Sequence, residues 1–239
     1  VIPDLLVDLH VHSTASDGAL DLPALVELAD RRGVRLGIAD HVGPDHPIAS
    51  EARLHAHLDE LAEYPVLRGV ELELGEEFGL SRAMRRRLDY VVGGLHAVKV
   101  AEHMISLHGR RPVDVDPEAL AQAIVDRLVE AMESEPLDVL AHPTLLPPLL
   151  RPRAADLFHD EHLDRIGRVA AECDVALEVT GRLRLPHDRA VERWLAAGAR
   201  LAIGSDAHAA AEVGDLAYPL EVIERFCIRP AQLYRSGRD

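Results

Sequence analysis

The stretch Asp8-Leu9-His10-Val11-His12-Ser13-Thr14-Ala15-Ser16-Asp17-Gly18 ends an apolar run, Ile2 to Val7, with two histidines one residue apart and then a polar loop carrying an acid. Side chains two apart on a strand share a face. His10 and His12 are therefore expected to project together, along with Asp8, while Leu9 and Val11 face the other way. More imidazole and carboxylate groups follow at or near the ends of later apolar runs: His41, Glu71 and Glu73, His96, His142, and Asp206 with His208. Imidazole nitrogens and carboxylate oxygens without thiolates suit zinc, manganese or iron. His10, His12, His41, His96, His142 and His208, with Asp17, Glu71 and Asp206, are too many ligands for one ion. A carboxylate such as Glu71 can bridge two. Two or three divalent ions, roughly 3.5–4 Å apart in typical paired sites, form a clamp for in-line displacement at phosphorus.

Each piece alone has a plainer explanation. A single histidine beside a strand is commonly a hydrogen-bonded structural residue, and Ser16-Asp17-Gly18 has the composition of a turn. The repetition at one strand end after another is what points to a shared site. His46, His55, His57, His103, His108, His159, His162 and His187 lack that placement. His55 and His57 read as solvated helix positions, and His187 follows Arg182 and Arg184 near a strand end. Asp8 and Asp40 precede candidate ligands and either orient them or cap turns.

Positioning these groups requires parallel strands. Apolar runs of strand length recur at Asp4 to Leu9, Val34 to Ala39, Val66 to Leu74, Tyr90 to Leu95, Leu137 to Ala141, Val175 to Val179 and Arg200 to Ile203. Segments of helical period lie between most of them. Leu22, Leu25, Val26 and Ala29 share one helix face, with Gly33 at the stop. Asp116-Pro117-Glu118 supplies an N-cap, a first-turn proline and an early acid ahead of Leu120, Ile124, Leu128 and Met132. Strands alternating with helices give an α/β fold with a parallel sheet. Seven such units predict a closed, (β/α)7 TIM-like barrel forming a single domain over residues 1–239. Its C-terminal rim would gather the ligands. Val98 to Val115 and Thr144 to Asp160 read as loops.

The bulk numbers agree. The 239 residues are 48% hydrophobic and 28% charged, ordinary globular composition. A formal net charge of -15 and 3% aromatic residues argue against nucleic-acid partners. No apolar run approaches the roughly 20 residues of a spanning helix, and the expectation is a cytoplasmic protein without membrane partners. Cys173 and Cys227 have no metal-binding spacing and read as core thiols. The sequence carries no mark of oligomeric state.

The ordered series DLHVHSTASDG, ADH, GVELE, GGLH, AHP, ALEV and GSDAH, spanning His10 to His208, resembles the PHP (polymerase and histidinol phosphatase) superfamily. The resemblance implies a distorted (β/α)7 barrel with a trinuclear metal site. One ion would be held by His10, His12, Glu71 and Asp206, a second by Glu71, His96 and His142, and a third by Asp17, His41 and His208. Glu73 shares the Glu71 face and stays a rival for the bridge. The spacing is most similar to small stand-alone phosphatases. The stretch Leu183-Arg184-Leu185-Pro186 resembles a phosphate-binding arginine segment, with Arg182 and Arg184 as rivals for a guanidinium fork on phosphate.

The expected activity is metal-dependent hydrolysis of a small-molecule phosphomonoester, such as a histidinol-phosphate-like or sugar phosphate, by metal-activated water. His10, His12, Glu71, Asp206 and His208 would be its catalytic centre, with two or three Zn, Mn or Fe ions as cofactors. Two other readings keep the metals: a nuclease acting on oligonucleotides, and a non-catalytic metal-binding module.

Overall fold

The computed structural model describes residues 7–76 and 78–236. The first residues of the expected opening strand, Asp4 to Leu6, and the run before them lie outside the described residues. In chain order the elements are β1 (Val7–Val11), α1 (Leu22–Arg32), β2 (Arg35–Ile38), β3 (His41–Val42), α2 (Glu51–Leu61), β4 (Leu67–Arg68), β5 (Glu71–Glu73), α3 (Arg82–Arg85) and β6 (Val92–Gly94). There follow β7 (Ala97–Val100), β8 (His103–Ser106), α4 (Pro117–Ser134), β9 (Val139–Leu140), α5 (Ala154–Leu157), α6 (Asp160–Glu172), β10 (Ala176–Thr180), α7 (Asp188–Ala196), β11 (Leu201–Gly204) and α8 (Ala217–Arg225).

Local chemistry explains the helix ends. Asp21 caps α1 by accepting from Ala24 N at 3.0 Å, and Gly33 closes it at φ 64°. Asp116 caps α4 ahead of Pro117, as its sequence suggests. Inside α4, Leu120, Ile124, Leu128 and Met132 are all buried.

All strand pairs other than β7 with β8 are parallel. One sheet runs β1-β2-β4 and another β11-β10-β9-β6-β5-β3. Two residues separate β2 from β3, and two separate β4 from β5, so these broken strands carry the chain from one sheet to the other. The spatial order β1, β2/β3, β4/β5, β6, β9, β10, β11 is then also the chain order. β11 returns to β1 through a parallel bridge between Val11 and Ala207, where His12 N donates to Ala207 O at 2.9 Å and Ala207 N to His10 O at 3.1 Å.

Two apolar clusters lie on the two sides of these strands. Val7, Leu9, Leu67, Val92, Val139, Ala176 and Ala202 pack together around Tyr90, whose hydroxyl donates to Leu9 O at 2.8 Å. Val11, Leu140, Leu177 and Leu201 pack instead with the helices. Leu9 and Val11 therefore do not share a face, contrary to the simple alternation expected of β1. The β1–β2 register shifts between Asp8 and Val11, as it does at a bulge, where an extra residue re-aims the side chains that follow.

The segment read as a loop from Val98 carries the antiparallel β7–β8 hairpin, which period-two patterning did not announce because its faces are mostly exposed. Cys173 and Cys227 are exposed rather than core thiols. Each sits at a helix end, where apolar periodicity no longer reports burial. Among the described residues no helix is long and apolar enough to cross a membrane.

Candidate metal centre

Glu71, the first residue of β5, is 1% exposed and lies at the centre of the histidines. Its Oε2 is 3.3 Å from His10 Nε2, 3.5 Å from His12 Nε2 and 3.1 Å from His41 Nδ1. Its Oε1 is 3.5 Å from His96 Nε2 and 3.6 Å from His142 Nε2. The sequence scatters these residues over 133 positions; parallel strands deliver them to one end. His41 and Glu71 are register partners across β3 and β5. Gly94, at the end of β6, makes room for the carboxylate, since a Cβ there would lie 2.0 Å from Glu71 Oε1.

Asp206 joins from the turn after β11. Its Oδ1 lies 3.8 Å from His10 Nε2, 3.6 Å from His12 Nε2 and 3.5 Å from His208 Nδ1. Asp17, half-exposed, stands 3.5 Å from His12 Nδ1, 3.7 Å from His41 Nε2 and 3.3 Å from His208 Nε2. All nine residues named from the sequence thus come together. His142 and Asp206 do so with φ of 31° and 56°, a left-handed backbone that is uncommon for non-glycine residues and concentrates at functional sites.

The donor atoms fit divalent cations. His10 Nε2, both ring nitrogens of His12, His41 Nδ1, His142 Nδ1 and both Glu71 oxygens are buried without a hydrogen-bond partner. Buried polar atoms in folded proteins are almost always paired, and close imidazole and carboxylate groups in this state form sets that a metal satisfies. Three such sets overlap: His12, Asp17, His41 and His208; His10, His12 and Glu71; and His41, Glu71 and His96.

Electrostatics follow from this crowding. Burial alone would raise Glu71, but His41, His10 and His96 outweigh it and hold the carboxyl well below its usual range. Burial likewise opposes charge on His96, yet Glu71 and Glu73 bring it up to about 9. Burial pushes His41 down to about 4, with Glu71 pulling the other way.

Glu73 does not face the Glu71 ring of nitrogens; it accepts from His96 N at 3.1 Å and pairs with His96 Nδ1. Glu178, which sequence reasoning passed over inside an apolar strand, does the same for His10, accepting from Nδ1 at 2.7 Å. Its sequence signals are its place in the ALEV motif and an acid in the middle of a strand that is otherwise apolar.

Asp8 and Asp40 touch no ligand ring through a hydrogen bond. Asp8 accepts from Ser205 N and Oγ at 2.7 and 2.6 Å and from Gly214 N at 2.9 Å. Asp40 accepts from Ser13 N and Oγ, both at 2.7 Å, and from Ser16 Oγ at 2.6 Å. They anchor the loops that carry the ligands. His57, read as a surface position, is buried and lies 3.2 Å from Asp40, because α2 turns that face inward.

A cleft of about 360 Å³ opens over the cluster, lined by Asp17, His41, Glu73, His96, Arg182 and Asp206 among others. His46 and His108, set aside in the sequence reading, also line it; His46 stacks on His41 with ring centroids 4.8 Å apart. Arg182 reaches Asp206 inside the cleft. Arg184 turns away, pairing with Glu221 at 3.1 Å and lying over the Tyr218 ring. A larger groove of about 1100 Å³ between α6 and α7 is lined by paired arginines and acids and contains none of the cluster.

No family model matches the chain. It is 27% identical over 239 residues to a protein of Shewanella piezotolerans named "Probable phosphatase", covering 92% of this chain and 84% of that one. A Citrobacter koseri protein of the same name is 28% identical over 238 residues, covering 91% and 84%. Among solved structures, the chain is similar to the histidinol phosphate phosphatase of Lactococcus lactis, determined with zinc, L-histidinol and phosphate, at a TM-score of 0.69. The two are 15% identical over 93% of this chain and 94% of that one. The likeness shows a common α/β fold.

Proposed function

We propose that this phosphatase hydrolyses small-molecule phosphomonoesters at a cluster of two or three divalent ions, on a distorted (β/α)7 barrel of the PHP type. The phosphatase class is supported by the curated relatives, and the barrel by the ring order of strands with its Val11–Ala207 return. The observation that carries the site is Glu71: a buried carboxylate whose two unpaired oxygens face the His10, His12 and His41 nitrogens on one side and those of His96 and His142 on the other.

In this reading His10, His12 and Asp206 would hold one ion and His96 and His142 a second, with Glu71 shared between them, and Asp17, His41 and His208 would hold a third. Bound divalent ions would neutralise phosphate charge and make water a competent nucleophile near neutral pH. The protein supplies the rest. Glu178 and Glu73 hold the His10 and His96 rings by their Nδ1 atoms and so present the Nε2 lone pairs inward. Arg182 offers a planar fork to the phosphoryl oxygens as charge builds on them. The buried walls exclude bulk water and strengthen each of these interactions.

Zinc is the first metal to test, given its presence in the lactococcal structure, with manganese and iron beside it. Histidinol phosphate and sugar phosphates form the first substrate panel, with single-stranded oligonucleotides as the contrasting class. The reading requires turnover of phosphomonoesters that is lost on chelation and restored by metal. Turnover of oligonucleotides alone would replace it.

A further inference from the structure

Two imidazoles that line the cleft, His46 and His108, belong to none of the three ligand sets. The function proposed above gives His108 no task, yet a whole hairpin serves to place it. β7 starts directly after the ligand His96, and β8 runs back antiparallel with Ala97 paired to Ser106. Leu107 N then donates to His96 O at 2.7 Å, and Gly109 N to Ser106 O at 3.2 Å. Leu107 is itself buried, which pins the turn at its base. The chain thus leaves His96 and returns to it carrying His108.

The His108 ring lies against two rings of the candidate centre, its centroid 5.2 Å from that of His96 and 6.5 Å, edge-on, from that of His142. These are the two histidines that face Glu71 Oε1. His108 is exposed, whereas His10, His12, Glu71 and Asp206 are buried. The cleft therefore has a buried floor of ligands and an open mouth with His108 on its wall. In the phosphatase reading the attacking water comes from that floor. In-line displacement then sends the ester oxygen the opposite way, toward the mouth.

We infer that His108 is a further substrate-binding residue, whose ring hydrogen-bonds a hydroxyl on the alcohol half of the ester, so that polyol and sugar phosphates are preferred over esters of plain alkanols. This rests on the phosphatase reading above. Phosphoryl oxygens only accept hydrogen bonds and are served in that reading by cations and Arg182. The alcohol half needs a different partner, and imidazole nitrogens can donate to a hydroxyl or accept from it. The base of the hairpin, tied to His96, holds the ring beside the centre before substrate arrives, which reduces the ordering that binding would otherwise require.

The test compares glycerol 3-phosphate with propyl phosphate, which lacks the hydroxyls, on zinc-loaded wild type, H108F and H108Q. The ratio of their kcat/KM values should be about three- to tenfold higher in wild type than in H108F, the order of one net hydrogen bond. H108F keeps a ring against His96 and loses both ring nitrogens, so a residue that only packs there would leave the ratio alone. Taking the ratio within each variant cancels the different leaving abilities of the two alcohols. H108Q should restore part of the preference. Inhibition by inorganic phosphate, which has no alcohol half, should be unchanged in both variants. A ratio that stays the same in H108F would overturn the inference. Equal loss on both esters with weaker inhibition by phosphate would overturn it too and make His108 part of the phosphoryl site. Zinc content and melting temperature identify a misfolded variant, in which case H108A replaces H108F. Calorimetric binding of glycerol 3-phosphate and propyl phosphate reads the same preference without turnover, so failure to hydrolyse any ester would count against the proposed function alone.

Discussion

Glu178 holds His10 by its outer ring nitrogen: Oε1 lies 2.7 Å from His10 Nδ1, while Oε2 accepts from His142 N at 2.9 Å and from Thr180 Oγ1 at 2.6 Å. One fully buried carboxylate therefore fixes both a ring on β1 and the backbone of the turn after β9. Gly204 leaves the space, since a Cβ there would sit 2.5 Å from Glu178 Oε1. E178Q should keep the fold but weaken the His10 ligand, lowering metal affinity or kcat/KM by about 10- to 100-fold. Metal titration of the variant checks this, and an unchanged affinity and rate would show that Glu178 is only a packing residue.

Metal uptake should expel protons. His96, brought up to about 9 by Glu71 and Glu73 against the effect of burial, is protonated at pH 7 in the metal-free protein, and His10 and His208 are raised in the same sense. A ligand imidazole must be neutral, so binding releases protons and apparent affinity rises with pH. Calorimetric titration at pH 7 in buffers of different ionisation enthalpy should give a release of about one proton or more per chain. Zero release, or affinity that falls from pH 6 to pH 8, would be the wrong sign.

Arg182 and Arg184 separate by geometry. Arg182 stands in the cleft on Asp206, whereas Arg184 is 59% exposed on Glu221. R182A should lower kcat/KM on phosphomonoesters by roughly 10- to 100-fold, the equivalent of about 1.5–3 kcal/mol for hydrogen bonds to a charged group. R184A should stay within about threefold of wild type, as exposed ion pairs contribute little. The reverse ranking in steady-state kinetics would exchange their roles.

Gly94 offers a test with no ligand removed. A methyl group in G94A would fall 2.0 Å from Glu71 Oε1 and 2.8 Å from His96 Cε1. The carboxylate has to move, so bound metal per chain should drop with activity while the circular dichroism spectrum stays native. Full metal content in folded G94A would contradict the bridging role proposed for Glu71.

The sequence made much of this legible because parallel strands convert a one-dimensional pattern into a place. His41, His96, His142, Asp206 and His208 each follow an apolar run, and strand ends of one polarity meet at one rim. What stayed hidden depended on other physics. The register shift in β1 broke the alternation that had grouped Asp8 with the histidines, and no residue type marks such a shift reliably. Glu178 sits in an apolar strand with nothing nearby in sequence to explain it; its partners are 168 and 36 residues away. His57 was misplaced because two neighbouring helix positions differ in exposure only through what packs on them, here Asp40. The choice between Arg182 and Arg184 turned on the path of one loop, which composition does not encode.

The most direct measurement is elemental analysis of gently purified protein beside H10A and D206A, with phosphomonoesterase activity assayed on the same samples. The account expects two to three equivalents of transition metal per wild-type chain, near none at the disrupted positions, and activity that follows the metal. Folded wild-type protein that takes up less than one equivalent at saturating metal, or that hydrolyses phosphomonoesters equally well after complete chelation, would contradict it.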